Sequence, residues 1–283
     1  MTVAASLSPL VLDERRRVEE ALTFIRSKTS QTPSCGLILG SGLGLVADAL
    51  DDATVIPYGA IPHFPVSTAP GHAGNLLIGQ LAGRAVAMLQ GRFHLYEGYT
   101  AQQVAFPIRV LKRLGVETLI VTCATGGLNA RFKAGDLMLI HDHINLTGQN
   151  PLVGPNDPSL GERFPVMFNA YRPELNELAR RVAVQLGLYL QEGTYAGILG
   201  PAYCTKAELR FLTKIGADSV GMSTVHEVIA AAHLGLRVLG IGTISDMAIP
   251  DSGHHATEAE ILEVAQRVGP TLARLLRGIL AEL

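Results

Sequence analysis

Cys35-Gly36-Leu37-Ile38-Leu39-Gly40-Ser41-Gly42-Leu43-Gly44 begins as a short apolar run and ends in a glycine-rich turn. That order predicts a buried strand over Cys35 to Leu39, and Leu45 to Leu50 after the turn reads as a helix. Strand, glycine turn and helix together are the repeating unit of an α/β sheet. The turn also carries chemistry, because glycines let the backbone approach a ligand and a helix N-terminus directs N–H groups at an anion. Gly40 to Gly44 lacks the Lys-Ser/Thr of a nucleoside-triphosphate loop, and no acidic residue follows about twenty positions on, as a dinucleotide site needs. The Ser41 hydroxyl suits free phosphate better than a dinucleotide, although a tight packing turn explains the same residues.

Working outward, Val18, Ala21, Leu22 and Ile25 repeat at helical spacing within Glu14 to Lys28, which predicts an amphipathic helix covering a sheet after a loose N-terminus over residues 1–12. Leu76 to Leu81 and Ala85 to Leu89 flank Ala82-Gly83-Arg84 and read as a hairpin. Thr118 to Cys123, Leu137 to His143, Thr194 to Leu199 and Val238 to Ile244 are further strand candidates. Helical patterns occupy Pro173 to Leu188, Ala207 to Ile215, Glu227 to Leu234 and Thr257 to Leu283. Strands alternating with helices predict a single α/β domain over residues 1–283, with a mixed, largely parallel sheet surrounded by helices. Asn145 to Arg163 is rich in Pro, Gly and Asn and reads as a long functional loop.

Composition narrows the function. The chain has 283 residues, 48% of them hydrophobic, which is enough to bury a large core. With 23 basic against 25 acidic residues there is no basic field for a nucleic-acid polymer. No run reaches the roughly 18 apolar residues of a membrane span, and Met1 to Leu12 lacks the basic start of a secretory signal. Cys35, Cys123 and Cys204 form no Cys-x-x-Cys pair, so neither a disulfide framework nor a zinc site is indicated. These features predict a cytoplasmic protein without membrane contact.

Gly91-Arg92-Phe93-His94-Leu95-Tyr96-Glu97-Gly98 places Arg92, His94 and Tyr96 at alternate positions, on one face if the segment is extended. Arginine offers a fork for phosphate oxygens, histidine bonds the same anion and tyrosine can hold a sugar, whereas a solvated edge strand is the plain alternative. Pro70-Gly71-His72-Ala73-Gly74 sets a histidine in a glycine-flanked loop, and Thr125-Gly126-Gly127-Leu128-Asn129 follows a strand, where α/β sheets form ligand crevices. His141 and His143 lack a supporting Cys or carboxylate cluster, so they read as core histidines and no metal site is expected; His254-His255 is discounted likewise.

In order and spacing these blocks resemble the trimeric purine nucleoside phosphorylase family, from about Cys35 to the final helix. The shared markers are Gly40 to Gly44, Pro70 to Gly74, Gln90 to Tyr99, Asp142-His143-Ile144-Asn145-Leu146 and Gly221-Met222-Ser223-Thr224-Val225. The resemblance implies a phosphate site of Ser41, His72, Arg92, His94, Ser223 and the backbone at Ala124. It implies ribose contacts from Tyr96 and Met222, from Glu258 or His255 near the 5′-hydroxyl, and from Phe164 of a neighbouring subunit in a homotrimer. Tyr203, Cys204, Gly221, Ser245, Asp246, Thr125 and Gly126 would then face the base, with His94, Arg92 and Asp246 the catalytic groups.

The chemistry suits those residues. Breaking an N-glycosidic bond develops positive charge on the sugar and negative charge on the base, so an oriented phosphate stabilises the transition state and then attacks. Nucleoside and phosphate are the substrates, and no metal or organic cofactor is required. The departures from the family pattern lie in the base pocket: Tyr203-Cys204-Thr205 stands for Phe-Glu-Thr, Ser245-Asp246 for Thr-Asn, and Cys123 and Thr125 for Asn and Ala. An ionised aspartate cannot donate to a 6-oxo group, while one kept protonated by burial donates to a ring nitrogen and accepts from an amine. The expected substrate therefore carries an amino-bearing base, adenosine first. Cytidine, ordinary inosine or guanosine cleavage, and a non-catalytic nucleoside binder are the alternatives. Arg92, as a fork for a solvent-accessible anion, is expected to be dispensable for folding.

Overall fold

Neighbouring residues of Leu37-Ile38-Leu39 point to opposite faces of the sheet, and that alternation separates the two apolar cores. Leu37 and Leu39 pack in one cluster with Leu175, Val182, Leu272 and Leu276, while Ile38 joins Leu22, Ile25, Ile108 and Val228 in the other. The computed structural model describes residues 7–41, 43–251 and 256–283. The first core is roofed by α3 (Pro173–Gln185) and α6 (Glu258–Glu282), the second by α1 (Pro9–Arg26), α2 (Ala101–Leu114) and α5 (Val225–His233). A smaller cluster of Leu128, Ala196, Leu209 and Val220 lies against α4 (Lys206–Lys214).

Nine strands are described: β1 (Cys35–Leu39), β2 (Asp51–Pro57), β3 (Asn75–Leu81), β4 (Arg84–Gln90), β5 (Thr118–Gly127), β6 (Leu137–Asn145), β7 (Leu190–Gly197), β8 (Ser219–Gly221) and β9 (Arg237–Met247). They run in the order β2-β3-β4-β1-β5-β8-β7-β6-β9, and β9 returns to pair with β5. That return closes β5, β8, β7, β6 and β9 into a ring, with β1 to β4 as an open wing. The sheet is mixed, with five of its nine pairings among the described residues parallel. At the join of wing and ring the backbones nearly touch: a Cβ on Gly40 would stand 2.8 Å from Cys123 Cα, so only glycine fits there.

Several expectations are corrected. The first helix begins at Pro9, with the Ser8 hydroxyl accepting from the Val11 N–H at 3.4 Å, so Pro9 to Leu12 are helical. Residues 1–6 lie outside the described residues. The expected helix after the glycine turn is a 3₁₀ turn over Gly44–Ala49. β2, β8 and α2 have no counterpart in the predicted elements. β8 is three residues long and too short for any period, whereas α2 carries a readable signal, the Thr100/Gln103 capping box. The predicted hairpin is β3–β4, paired from Asn75↔Gln90 to Leu81↔Arg84.

Between Asn145 and Pro173 no helix or strand is present. This long loop is nonetheless anchored. Thr147 Oγ1 lies 3.2 Å from His226 Nε2, Asn156 Oδ1 lies 3.1 Å from His233 Nε2, and Asp157 pairs with Arg15. Among the described residues no helix is long and apolar enough to cross a membrane.

Candidate active site

The strands β1, β4, β5 and β9 end on the same side of the sheet, and the residues just inside or beyond those ends line one cavity of about 180 Å³. β1 delivers Gly40 and Ser41, β4 delivers Arg92 and His94, β5 delivers Ala124, Thr125 and Gly126, and β9 delivers Ser245 and Asp246. Crevices form at such ends because each chain turns away there and leaves backbone groups facing the gap.

One end is built of cations and hydroxyls that hold one another. Arg92 and His94 are 3% and 6% exposed. Arg92 Nη1 donates to Ser223 Oγ at 3.0 Å and to Thr224 Oγ1 at 3.3 Å. Ser41 Oγ lies 3.0 Å from His72 Nε2, and the His72 ring stacks on His94 at 5.2 Å. Gly91 holds a left-handed φ of 108°, and a side chain there would run into His72. Burial, with the neighbouring His94, pushes His72 down to about 4, so it is neutral at physiological pH. His94 Nδ1 lies 2.9 Å from Glu97 Oε1, which leaves its other ring nitrogen directed away from Glu97. Although burial pushes the Glu97 carboxyl up, hydrogen bonds from His94 and Thr68 outweigh it and hold it down to about 2.

From His94 the lining passes through aromatic and acidic groups. Tyr96 stacks on His94 at 4.5 Å, and burial together with Glu97 and Glu258 pushes its phenol up to about 12. Tyr203 is half exposed and is raised by burial, Asp246 and Glu258. Cys204 precedes the Thr205 cap of α4, and burial raises its thiol, so it offers only a weak S–H donor. Ser245 Oγ donates to Asp246 Oδ1 at 2.9 Å, and Thr125 Oγ1 donates to the Val220 carbonyl at 2.8 Å. Met222, Gly221 and Glu258 complete this end, beside apolar Ile198, Val220, Ile261 and Leu262.

The structure therefore brings most of the sequence-named residues around one cavity. His72 stands behind Ser41 and His94, outside the lining itself. Phe164 is 84% exposed and lies away from the cavity of its own chain. His255, like His254, lies outside the described residues. Arg92, His94 and Tyr96 do share a face, but through an extended stretch followed by a 3₁₀ turn over Leu95–Glu97 and not an edge strand. His143 is a satisfied histidine, 3.1 Å from the Tyr171 hydroxyl, whereas His141 is exposed and not a core residue. No group of three potential metal ligands occurs among the described residues. Sequence reading gave no role to Glu97, Thr224 or Glu227. Glu97, three residues after His94, was visible as a capping partner; Glu227 had no local signal.

Arg92 also corrects an expectation. Its Nε lies 2.9 Å from Glu227 Oε1, with both side chains 3% exposed. Removing Arg92 would strand a buried carboxylate, so the arginine supports the fold as well as the site.

The family model described as "Phosphorylase superfamily" matches residues 34–281. Purine nucleoside phosphorylase 1 of Bacillus subtilis (strain 168) is 50% identical over 266 residues, spanning 94% of this chain and 98% of its own. The solved structure of Schistosoma mansoni purine nucleoside phosphorylase in complex with adenosine has a TM-score of 0.91 at 41% identity, covering 95% of this chain and 97% of that one. A Schistosoma mansoni purine nucleoside phosphorylase structure in complex with inosine gives 0.90 at 40% identity, covering 95% and 96%. With the family model matched over residues 34–281 and 94% of the chain aligned at 50% identity, the chain belongs to the purine nucleoside phosphorylases of the phosphorylase superfamily and is an enzyme of the pentosyltransferase class.

Proposed function

We propose that the enzyme cleaves the N-glycosidic bond of a nucleoside with inorganic phosphate, releasing the base and (deoxy)ribose 1-phosphate. In this reading Ser41, His72, Arg92, His94, Ser223 and the Ala124 backbone hold phosphate, and Tyr96, Met222 and Glu258 hold the sugar. The observation that carries it is the polarity of the cavity, with Arg92, His94, Ser41 and Ser223 at one end, His72 backing Ser41, and Asp246 and Glu258 at the other. A phosphate oxygen attacks the anomeric carbon as the carbon–nitrogen pair leaves with the base, which takes up a proton, for which Asp246 is the acid. Phe164, exposed on its own chain, completes a neighbour's sugar pocket in a homotrimer. A cytoplasmic setting belongs to the same reading and is supported by three unpaired cysteines.

For the base, Asp246 favours an amino-bearing ring such as adenine, because its protonated oxygen donates to a ring nitrogen, the same proton that follows the departing base, while its other oxygen accepts from the exocyclic amine. Cys204 offers no acceptor of carboxylate strength to a 6-oxopurine ring N–H. Schistosoma mansoni structures of this fold hold adenosine in one case and inosine in another, so the fold by itself does not favour one base and the preference proposed here rests on these side chains. The test is a panel of adenosine, methylthioadenosine, inosine, guanosine and cytidine, each with and without phosphate, with the released base identified. Adenine release that requires phosphate is expected. Comparable cleavage in its absence rejects the phosphorylase reading, and faster inosine or cytidine cleavage rejects the adenine preference.

A further inference from the structure

Glu227 is the third residue of α5, where the helix N-terminus favours a carboxylate. Its Oε1 lies 2.9 Å from Arg92 Nε, but the N–H is not aimed along that line, so the contact is one of charge and not a directed hydrogen bond. Among the described residues, neither Glu227 oxygen nor Arg92 Nη2 has a hydrogen-bond partner. The opposite side of the guanidinium is fixed by Ser223 and Thr224. Thr224 itself sits at φ 72° and ψ −49°, bracketed by a 2.7 Å bond from the Val225 N–H to the Ser223 carbonyl. A β-branched residue stays in that rare γ-turn only where its surroundings over-determine it. The Ser223 N–H is fixed as well, donating to the Tyr195 hydroxyl at 3.1 Å.

We infer that Glu227 is a positioning residue for the anion end: its charge holds the Nε side of Arg92 in place while the Ser223 and Thr224 hydroxyls direct Nη1, so that the guanidinium meets phosphate in one fixed orientation. This rests on the phosphate-site reading above. A site relying on field strength would gain nothing from a carboxylate 2.9 Å from its arginine, because that charge partly cancels the attraction for an anion. Its presence in a water-excluded position favours geometry over raw attraction, as expected where a transition state has to be met by pre-set dipoles. Glu227 does not line the cavity, so it reaches the anion site through Arg92.

The test is steady-state kinetics on E227Q and E227D, varying phosphate and nucleoside separately, with melting temperatures and R92K as the reference. E227D keeps the buried charges balanced and so should fold even if E227Q does not, while withdrawing the carboxylate by about 1.5 Å. The KM for phosphate should rise about tenfold in the folded variants, with kcat reduced and the nucleoside KM within about twofold. Adding E227Q to R92K should cost little beyond R92K alone, since both changes remove one interaction. An unchanged phosphate KM with only a lower melting temperature would make Glu227 structural and overturn the inference. A lower phosphate KM would mean that the carboxylate merely weakens the field, which overturns it too. If R92K itself leaves phosphate dependence untouched, the assignment of Arg92 fails and this inference with it.

Discussion

The two ends of the cavity are built differently. At the anion end the groups are buried or half-buried and paired with one another: Ser41 with His72, His94 with Glu97, Arg92 with Glu227. At the base end Tyr203 is 49% exposed, Cys204 lies in the irregular stretch just before α4, and Asp246 takes a hydrogen bond from its sequence neighbour Ser245. Interlocked groups cannot be exchanged singly without stranding a partner, whereas loop and strand-end side chains can be. The difference fits the resemblance read from the sequence, which keeps the family's markers at the anion end and departs from them at the base end.

The harshest way to break this comparison is Arg92→Ala. Turnover should fall about a thousandfold, the upper range for losing one pre-set donor to a developing charge. Stability should also drop by about 3 kcal/mol, because Glu227 is left buried without its cation. Urea denaturation beside a phosphate-saturated assay separates the two, and a fully stable but inactive variant would show that the pair is not interlocked.

Exchange at the base end should be milder. Asp246→Asn with Cys204→Glu should raise inosine cleavage relative to adenosine by about ten- to a hundredfold, the worth of a hydrogen bond to a charged group. The melting temperature should stay close to that of the parent. An equal loss on every substrate would remove Asp246 as the discriminator.

Phe164→Ala probes the boundary between chains. Being exposed in its own chain, Phe164 should contribute little to folding, and its loss should raise the nucleoside KM by about tenfold if it closes a neighbour's pocket. Light scattering on the parent should give a trimer, and a fully active monomer would end the shared-site reading.

At neutral pH the smallest effect belongs to His72→Asn, read as stability without phosphate. The folded histidine is depressed to about 4, below its ordinary 6.5, so the unfolded chain binds the proton first as pH falls. His72 therefore leaves stability intact above about pH 6.5 and lowers it progressively toward pH 4, by about 2 kcal/mol after allowance for partial exposure. The variant should lose less stability across that window, while matching slopes would show that His72 titrates normally.

Period and punctuation made much of this protein legible. Leu37-Ile38-Leu39 alternates, Val18 to Ile25 repeats at helical spacing, and Thr257 caps the last helix where the pattern begins. The motif blocks likewise gathered Ser41, Arg92, His94, Met222, Ser223 and Asp246 around one cavity. The helix over Ala101–Leu114 was missed although its capping box stood in the chain, and the start of the first helix was read late because Pro9 was taken as loop instead of a first-turn residue.

By itself the sequence determined what depends on near neighbours along the chain: the strands, most helices, the glycine turns and the identity of the groups that can hold an anion. Only the tertiary structure decided that β9 closes a ring onto β5, that His72 backs Ser41 across 31 positions, and that Glu227 meets Arg92. Such pairings join residues far apart in sequence, and a charge on α5 carries no local mark of the partner it will be buried against. Burial settles the remainder, because the same arginine is a solvated fork when read along the chain and a structural ion when 3% exposed beside a carboxylate.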